Sequence, residues 1–156
     1  MEKKNISEVL GNVAEVELVY KSKVKASERP LIVSASDAYE VLKAVWEEGK
    51  MDLLEQFKVL FLNRANRVLC IYNVSSGSIT GTVADPRLIY TAALRVNAVS
   101  LILAHNHPSG SLKPSRADEE LTPKIKGAGA FLDIKVLDHL LISSEGYYSF
   151  ADEGLL

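Results

Sequence analysis

The strongest constraint on the fold is an apolar run over residues 98–104 that leads directly into two histidines, His105 and His107. A run that is apolar almost throughout is typical of a strand buried on both faces, in the middle of a sheet. In open α/β sheets, ligands bind beyond the carboxyl ends of such strands. The sequence therefore predicts an α/β fold, with a mixed β-sheet flanked by helices and a functional site at the end of this strand.

The residues after this strand have the spacing of a metal site. His105 and His107 are two positions apart, so in an extended chain both imidazoles point the same way. A loop containing proline and glycine then leads to Ser115 and Asp118, at the start of a predicted helix, where a carboxylate can supply a third ligand. Three protein ligands leave the fourth position of a tetrahedral Zn²⁺ open to water, which is the catalytic pattern.

Each part of this pattern also has a simpler explanation. A His-x-His pair is only suggestive, and Ser115 with Asp118 can cap a helix without any metal. The third histidine, His139, lies in a predicted strand and is either a buried residue with a satisfied hydrogen bond or a support for a metal ligand. The order of strand end, histidines, loop and capped acidic helix favours the metal site.

The remaining sequence divides into helices and strands by its apolar periodicity. A period near 3.6 predicts helices over residues 34–48, 86–97 and 115–132. Alternating or continuous apolar runs predict further strands over residues 13–20, 57–62, 67–74, 79–84, 134–142 and 147–150. Pro123 lies well inside the third helix and removes a backbone hydrogen bond, so a kink or an early break is expected there.

Length and composition favour one domain. The 156 residues are 47% hydrophobic and 24% charged, which is enough apolar material for one compact core. We expect an N-terminal strand and basic linker over residues 1–29 and the metal-binding domain over residues 30–156. The sequence has neither a secretory leader nor an apolar run near the ~20 residues of a membrane span, so a cytoplasmic location without a membrane partner is expected.

The charge balance argues against a dedicated nucleic-acid module. The chain has 18 basic and 20 acidic side chains, a formal net charge of −2. One local basic run contains Lys21, Lys23, Lys25 and Arg29, and it is either a solvated loop or a surface for an anionic partner. Direct DNA binding is therefore expected to be absent, or weak and strongly salt-dependent.

The metal motif resembles that of a known family. His-x-His, seven residues, Ser, two residues and Asp resemble the JAMM (MPN) metalloprotease signature, and HNHPSG followed by PSRAD resembles its bacterial RadC branch. The resemblance covers about residues 30–154 and implies a cytidine-deaminase-like α/β architecture. It implies that His105, His107 and Asp118 bind one zinc per chain, and that Ser115 helps to hold the site and the developing oxyanion.

The resemblance also implies a general base. The family has a glutamate at the start of the strand after its first long helix, and this position corresponds to Glu55, with Glu47, Glu48 and Asp52 as nearby alternatives. The chain departs from the usual RadC pattern at Ser111, where an acidic residue is common. We expect a stand-alone domain without the N-terminal helix-hairpin-helix region of longer members, and hence a weaker link to DNA.

Two functions from different classes follow. The first is a zinc-dependent hydrolase that cleaves a peptide or isopeptide bond in a protein or peptide substrate. The second is a non-catalytic zinc-binding module that acts in DNA repair or mobile-element biology through partners. Glu55 and Ser115 favour the hydrolase, because a structural zinc needs a fourth protein ligand and no base. A zinc nucleobase deaminase is disfavoured because its His-x-Glu and Pro-Cys-x-x-Cys signature is absent from a chain with one cysteine.

Overall fold

The computed structural model describes residues 20–77 and 84–156, together with Gly11 and Ala14. A short 3₁₀ turn at Ala26–Glu28 precedes the main elements. The helices are α1 (Ala35–Val45), α2 (Pro86–Arg95) and α3 (Arg116–Ala130). The strands are β1 (Gln56–Leu62), β2 (Val68–Ser76), β3 (Ser100–Asn106), β4 (Lys135–Ile142) and β5 (Tyr147–Ser149).

The five strands form one mixed sheet in the order β2-β1-β3-β4-β5. The strand β1 is antiparallel to both β2 and β3, and β5 is antiparallel to β4. The strands β3 and β4 are parallel, and α3 forms the crossover between them. The mixed sheet flanked by helices confirms the predicted α/β fold class.

The strand β3 lies at the centre of the sheet and is buried along its whole length. Leu101 and Leu103 pack on one face with the buried residues of α2 and α3. Ile102 and Ala104 pack on the other face with those of α1. This two-sided burial explains why the predicted strand lacks the polar alternation of a half-exposed strand.

Local sequence signals set the starts of the helices. Ser34 and Ser115 each form a capping box with the aspartate at the third helical position, and Asp85 caps α2 ahead of Pro86. The end of α1 differs from the prediction, because the helix stops at Val45 and Trp46 is extended. There the Trp46 ring covers the buried Lys58, with the ammonium 4.8 Å from the ring centroid.

The early break expected at Pro123 is absent. Helix α3 continues across this residue as one 15-residue element. Pro123 is exposed. The carbonyl that loses its hydrogen-bond donor belongs to Glu119, which also lies on the solvent-exposed face of the helix. The buried face of the same helix, with Thr122 and Ile125, packs into the domain and maintains the helix.

Some predictions fall outside the described residues. The predicted strands over residues 13–20 and 79–84 lie there, apart from Ala14, Tyr20 and Ala84, none of which is in a strand. The division at residues 29 and 30 stays a prediction. Among the helices within the described ranges, none is long and apolar enough to cross a membrane.

Candidate metal centre

Three predicted ligands converge at the carboxyl end of β3. Nε2 of His105 lies 3.0 Å from Oδ1 of Asp118 and 3.1 Å from Nε2 of His107. Nε2 of His107 is 3.6 Å from Oδ2 of Asp118. The ligand atoms of the three residues all lie within 4.8 Å of one another, a grouping that can hold a metal ion.

The two histidines are held by different parts of the fold. His105 is buried in β3, and its ring stacks on Phe57 of the neighbouring strand with a centroid distance of 5.7 Å. His107 lies just after β3, and Nδ1 is 2.8 Å from the carbonyl oxygen of Ser111. Gly110 has a φ of +75°, which lets the loop turn back so that this carbonyl reaches the ring.

The carboxylate of Asp118 is oriented by the start of α3. The backbone N–H and the hydroxyl of Ser115 both donate to Oδ2 of Asp118 at 2.7 Å. Oδ1 is thereby left facing His105. Burial alone would raise the pKa of Asp118, but its interactions with His105 and His107 outweigh burial and hold the pKa well below its usual value.

A chain of hydrogen bonds defines the tautomer of His105. The Thr122 hydroxyl donates to the carbonyl of Asp118 at 2.8 Å, so its oxygen accepts from Nδ1–H of His139 at 2.7 Å. Nε2 of His139 then accepts from Nδ1–H of His105 at 3.0 Å. Burial lowers the pKa of His139 well below its usual value, which keeps the ring neutral and able to accept.

The donor set fits a metal cation. A carbonyl oxygen only accepts, so Nδ1 of His107 donates to Ser111, and a neutral His107 presents a lone pair on Nε2. His105 also presents its Nε2 lone pair, beside a carboxylate oxygen of Asp118. Three such groups repel one another unless a proton or a cation lies between them, and two histidines with one carboxylate are ligands found in catalytic zinc sites.

Of the four acidic residues considered as the base, Glu55 is the one whose charge contributes to the raised pKa of His107. It directly precedes β1, and its backbone carbonyl accepts from the N–H of Gly77 at 2.8 Å. The carboxylate of Asp118 raises the pKa of His107 while burial opposes the shift, and the negative charge of Glu55 adds to the rise. Among the alternatives, Glu47 binds Gln56 and Lys50 instead.

The structure accounts differently for the other residues singled out in the sequence. His139 lies behind His105, in the position of a support for a ligand. Thr122 was not predicted, although its position four residues after Asp118 places it on the same helix face. Three of the four basic residues before α1 are exposed and the fourth is partly buried: Lys21, Lys23, Lys25 and Arg29. Their role as a contact surface for an anionic partner stays a prediction.

The fold and the site define an α/β domain with a His-His-Asp metal-type centre at the carboxyl end of its central strand. Residues 32–155 match the model of the RadC-like JAB domain, so the chain belongs to this family. It is 48% identical over 124 residues to a UPF0758 protein of Flavobacterium johnsoniae, a match covering 80% of this chain and 53% of that protein. It is 40% identical over 126 residues to a UPF0758 protein of Chlorobaculum parvum, covering 80% and 55%. The chain thus spans about half the length of these curated relatives.

Proposed function

We propose that this chain is a zinc-dependent hydrolase that cleaves peptide or isopeptide bonds in cytoplasmic protein or peptide substrates. The observation that carries the proposal is the grouping of His105, His107 and Asp118, whose ligand atoms all lie within 4.8 Å of one another. Three protein ligands leave a tetrahedral metal one position for chemistry. Membership of the RadC-like JAB domain family supports the same type of centre.

The metal and the protein have separate tasks in this proposal. A bound zinc would supply Lewis-acid chemistry, lowering the pKa of water to about 7 and polarising a carbonyl group. Glu55 is the general base, which takes a proton from the attacking water and returns it to the leaving amine. Its negative charge contributes to the raised pKa of His107, which is consistent with this role.

Ser115 has two tasks in this reaction. Its hydroxyl donates to Oδ2 of Asp118 and so orients the third ligand. The same proton can turn towards a carbonyl oxygen that gains negative charge in the transition state, where a positioned donor is most effective. His139 and Thr122 act behind His105, where they maintain the tautomer that leaves Nε2 available.

The test compares a base variant with ligand variants. Glu55→Gln is expected to keep the fold and the zinc, because the three ligands are unchanged, while hydrolysis falls by roughly 10²–10⁴. His105→Ala is expected to abolish the one zinc per chain, and Asp118→Asn to lose both zinc and stability. Metal analysis of untagged protein, with assays on a panel of peptide and isopeptide conjugates, measures both properties.

Chelation followed by zinc add-back is the control for metal dependence. If Glu55→Gln loses zinc as completely as His105→Ala, Glu55 is a ligand and the open coordination position disappears. The function would then be that of a non-catalytic zinc-binding module that acts in DNA repair or mobile-element biology through partners. Equal zinc content in His105→Ala and the wild type would contradict the metal site itself.

A further inference from the structure

Asn106 lies between the two histidines and is fully buried, yet it belongs to the other face of the sheet. Successive side chains of a strand alternate between faces. His105 faces α3, where its ring meets the Asp118 carboxylate. Asn106 follows the alternation of Ile102 and Ala104 and faces the side covered by α1.

The side chain of Asn106 binds the loop between α1 and β1. Its Oδ1 accepts from the N–H of Gln56 at 2.8 Å. Its Nδ2 donates to the carbonyl of Met51 at 2.6 Å and to that of Leu54 at 2.9 Å. These three backbone groups lie on both sides of Glu55, so one side chain holds the segment that carries the proposed base.

The type of side chain matters because it uses two donors and one acceptor at the same time. An asparagine amide has two N–H donors and a carbonyl oxygen, whereas an aspartate of the same size has no donor and a leucine has neither. The loop itself contains turn hydrogen bonds, with the carbonyl of Lys50 accepting from the N–H groups of Leu53 and Leu54. The contact from Asn106 ties this turn to the central strand.

We propose that Asn106 is a positioning residue, which sets the carboxylate of Glu55 relative to the metal ligands. Three successive residues of the chain then control the reaction geometry, because His105 and His107 would hold the metal and Asn106 holds the loop that carries Glu55. The catalytic consequence rests on the proposed hydrolase function, whereas the hold on the loop does not. If Asn106 served only stability, its substitution would not selectively affect the segment that carries Glu55.

The first test is independent of any substrate. Asn106→Ala is expected to keep the zinc, while amide hydrogen exchange over residues 51–56 rises by about tenfold or more and that of β3 stays unchanged. The matched control is Asn63→Ala, because Oδ1 of Asn63 also holds a turn, accepting from Ala65 and Arg67 at the other end of β1. The control is expected to leave exchange over residues 51–56 at its wild-type rate.

The second test uses kinetics once a substrate is known. A base displaced by about 1 Å can lower the rate by about 10²-fold, so kcat of Asn106→Ala is expected to fall by that order with KM within about twofold. In a Glu55→Gln background the same substitution is expected to cost less than about threefold, because the base on which it acts is already gone. Asn63→Ala is expected to have near-wild-type kcat.

The outcomes separate this inference from the proposed function. Unchanged exchange over residues 51–56 in a folded Asn106→Ala, or a full additional loss in the Glu55→Gln background, would overturn the role of Asn106. Absence of hydrolysis by the wild type would contradict the proposed hydrolase function. The hydrogen-exchange result would still show whether Asn106 holds the loop over residues 51–56. If Asn106→Ala does not fold, Asn106→Asp replaces it, since its carboxyl group keeps an acceptor for Gln56 and lacks the two N–H donors. Faster exchange at Leu53 and Leu54 with a protected Gln56 amide is then expected, and unchanged exchange there overturns the inference.

Discussion

At the scale of single residues, His105 depends on side chains that are not themselves proposed ligands. His139 and Thr122 form a hydrogen-bonded chain that ends on the backbone carbonyl of Asp118. These hydrogen bonds therefore start at one proposed ligand, His105, and end on the helix that carries another, Asp118. Partners of this kind orient metal-binding histidines and typically change metal affinity by 10–100-fold when they are removed.

Thr122→Val tests this chain, because valine has a similar shape and no hydroxyl. Nδ1–H of His139 then loses its acceptor, and the tautomer that suits His105 is no longer favoured. Zinc affinity is expected to fall by about 10–100-fold, measured by competition with a chromophoric chelator. Thr91→Val on the exposed side of α2 is the control and is expected to bind zinc like the wild type. Equal zinc affinity in both variants would show that Thr122 does not support the site.

At the scale of elements, the end of α3 is decided by a close approach to its neighbours. Gly129 is buried, and a Cβ there would collide with the backbone carbonyl of Ile134 and the hydroxyl of Tyr90. The N–H of Ile134 also donates to the carbonyl of Gly129 at 3.0 Å, which starts the turn into β4. Gly127, two residues earlier, is exposed and has open space around the Cβ position.

Alanine substitutions at these two glycines are expected to change the free energy of unfolding in opposite directions. Gly129→Ala is expected to lower the free energy of unfolding by about 1–3 kcal/mol, because the backbone carbonyl it meets cannot move aside easily. Gly127→Ala is expected to raise it by about 0.5–1 kcal/mol, because alanine favours the helix and loses less backbone entropy on folding. Urea unfolding of both variants measures the difference. Destabilisation by Gly127→Ala, or none by Gly129→Ala, would contradict this packing.

At the scale of the whole molecule, the proposed metal joins two parts of the fold. His105 and His107 lie at the end of the central strand, and Asp118 lies in the first turn of the crossover helix. Asp118 in turn reaches the site because the crossover α3 begins beside the carboxyl end of β3. A ligand that binds only the folded arrangement stabilises it by mass action.

Zinc is therefore expected to raise the thermal stability of the domain. At a free concentration of about 100 times Kd, the gain is about 2.7 kcal/mol, or a Tm increase of roughly 5–10 °C for a chain of this size. Scanning calorimetry at buffered zinc concentrations measures the shift. His105→Ala is the control, and a shift as large in this variant as in the wild type would show that zinc acts elsewhere.

Much of the fold was predictable because its signals are local. The apolar run before His105 indicated the central strand, and the caps at Ser115 and Asp85 indicated where two helices begin. The grouping of His105, His107 and Asp118 was predictable for the same reason, since the His-x-His spacing and the Ser-x-x-Asp cap each span a few residues. The choice of Glu55 as the proposed base required the family resemblance, because nothing in its immediate sequence separates it from the neighbouring acids, and its role stays a prediction.

Tertiary structure alone decided the partners of these residues. Asn106 meets Gln56 across 50 positions of sequence, and His139 meets His105 across 34. It also decided that Pro123 lies on the exposed face of an unbroken helix and that α1 stops before Trp46. Periodicity and capping depend on residues within about one helical turn, so the sequence by itself determined the elements and the ligand spacing. Strand register and layer packing determine which distant groups meet, and these depend on burial of the whole apolar surface rather than on any short segment.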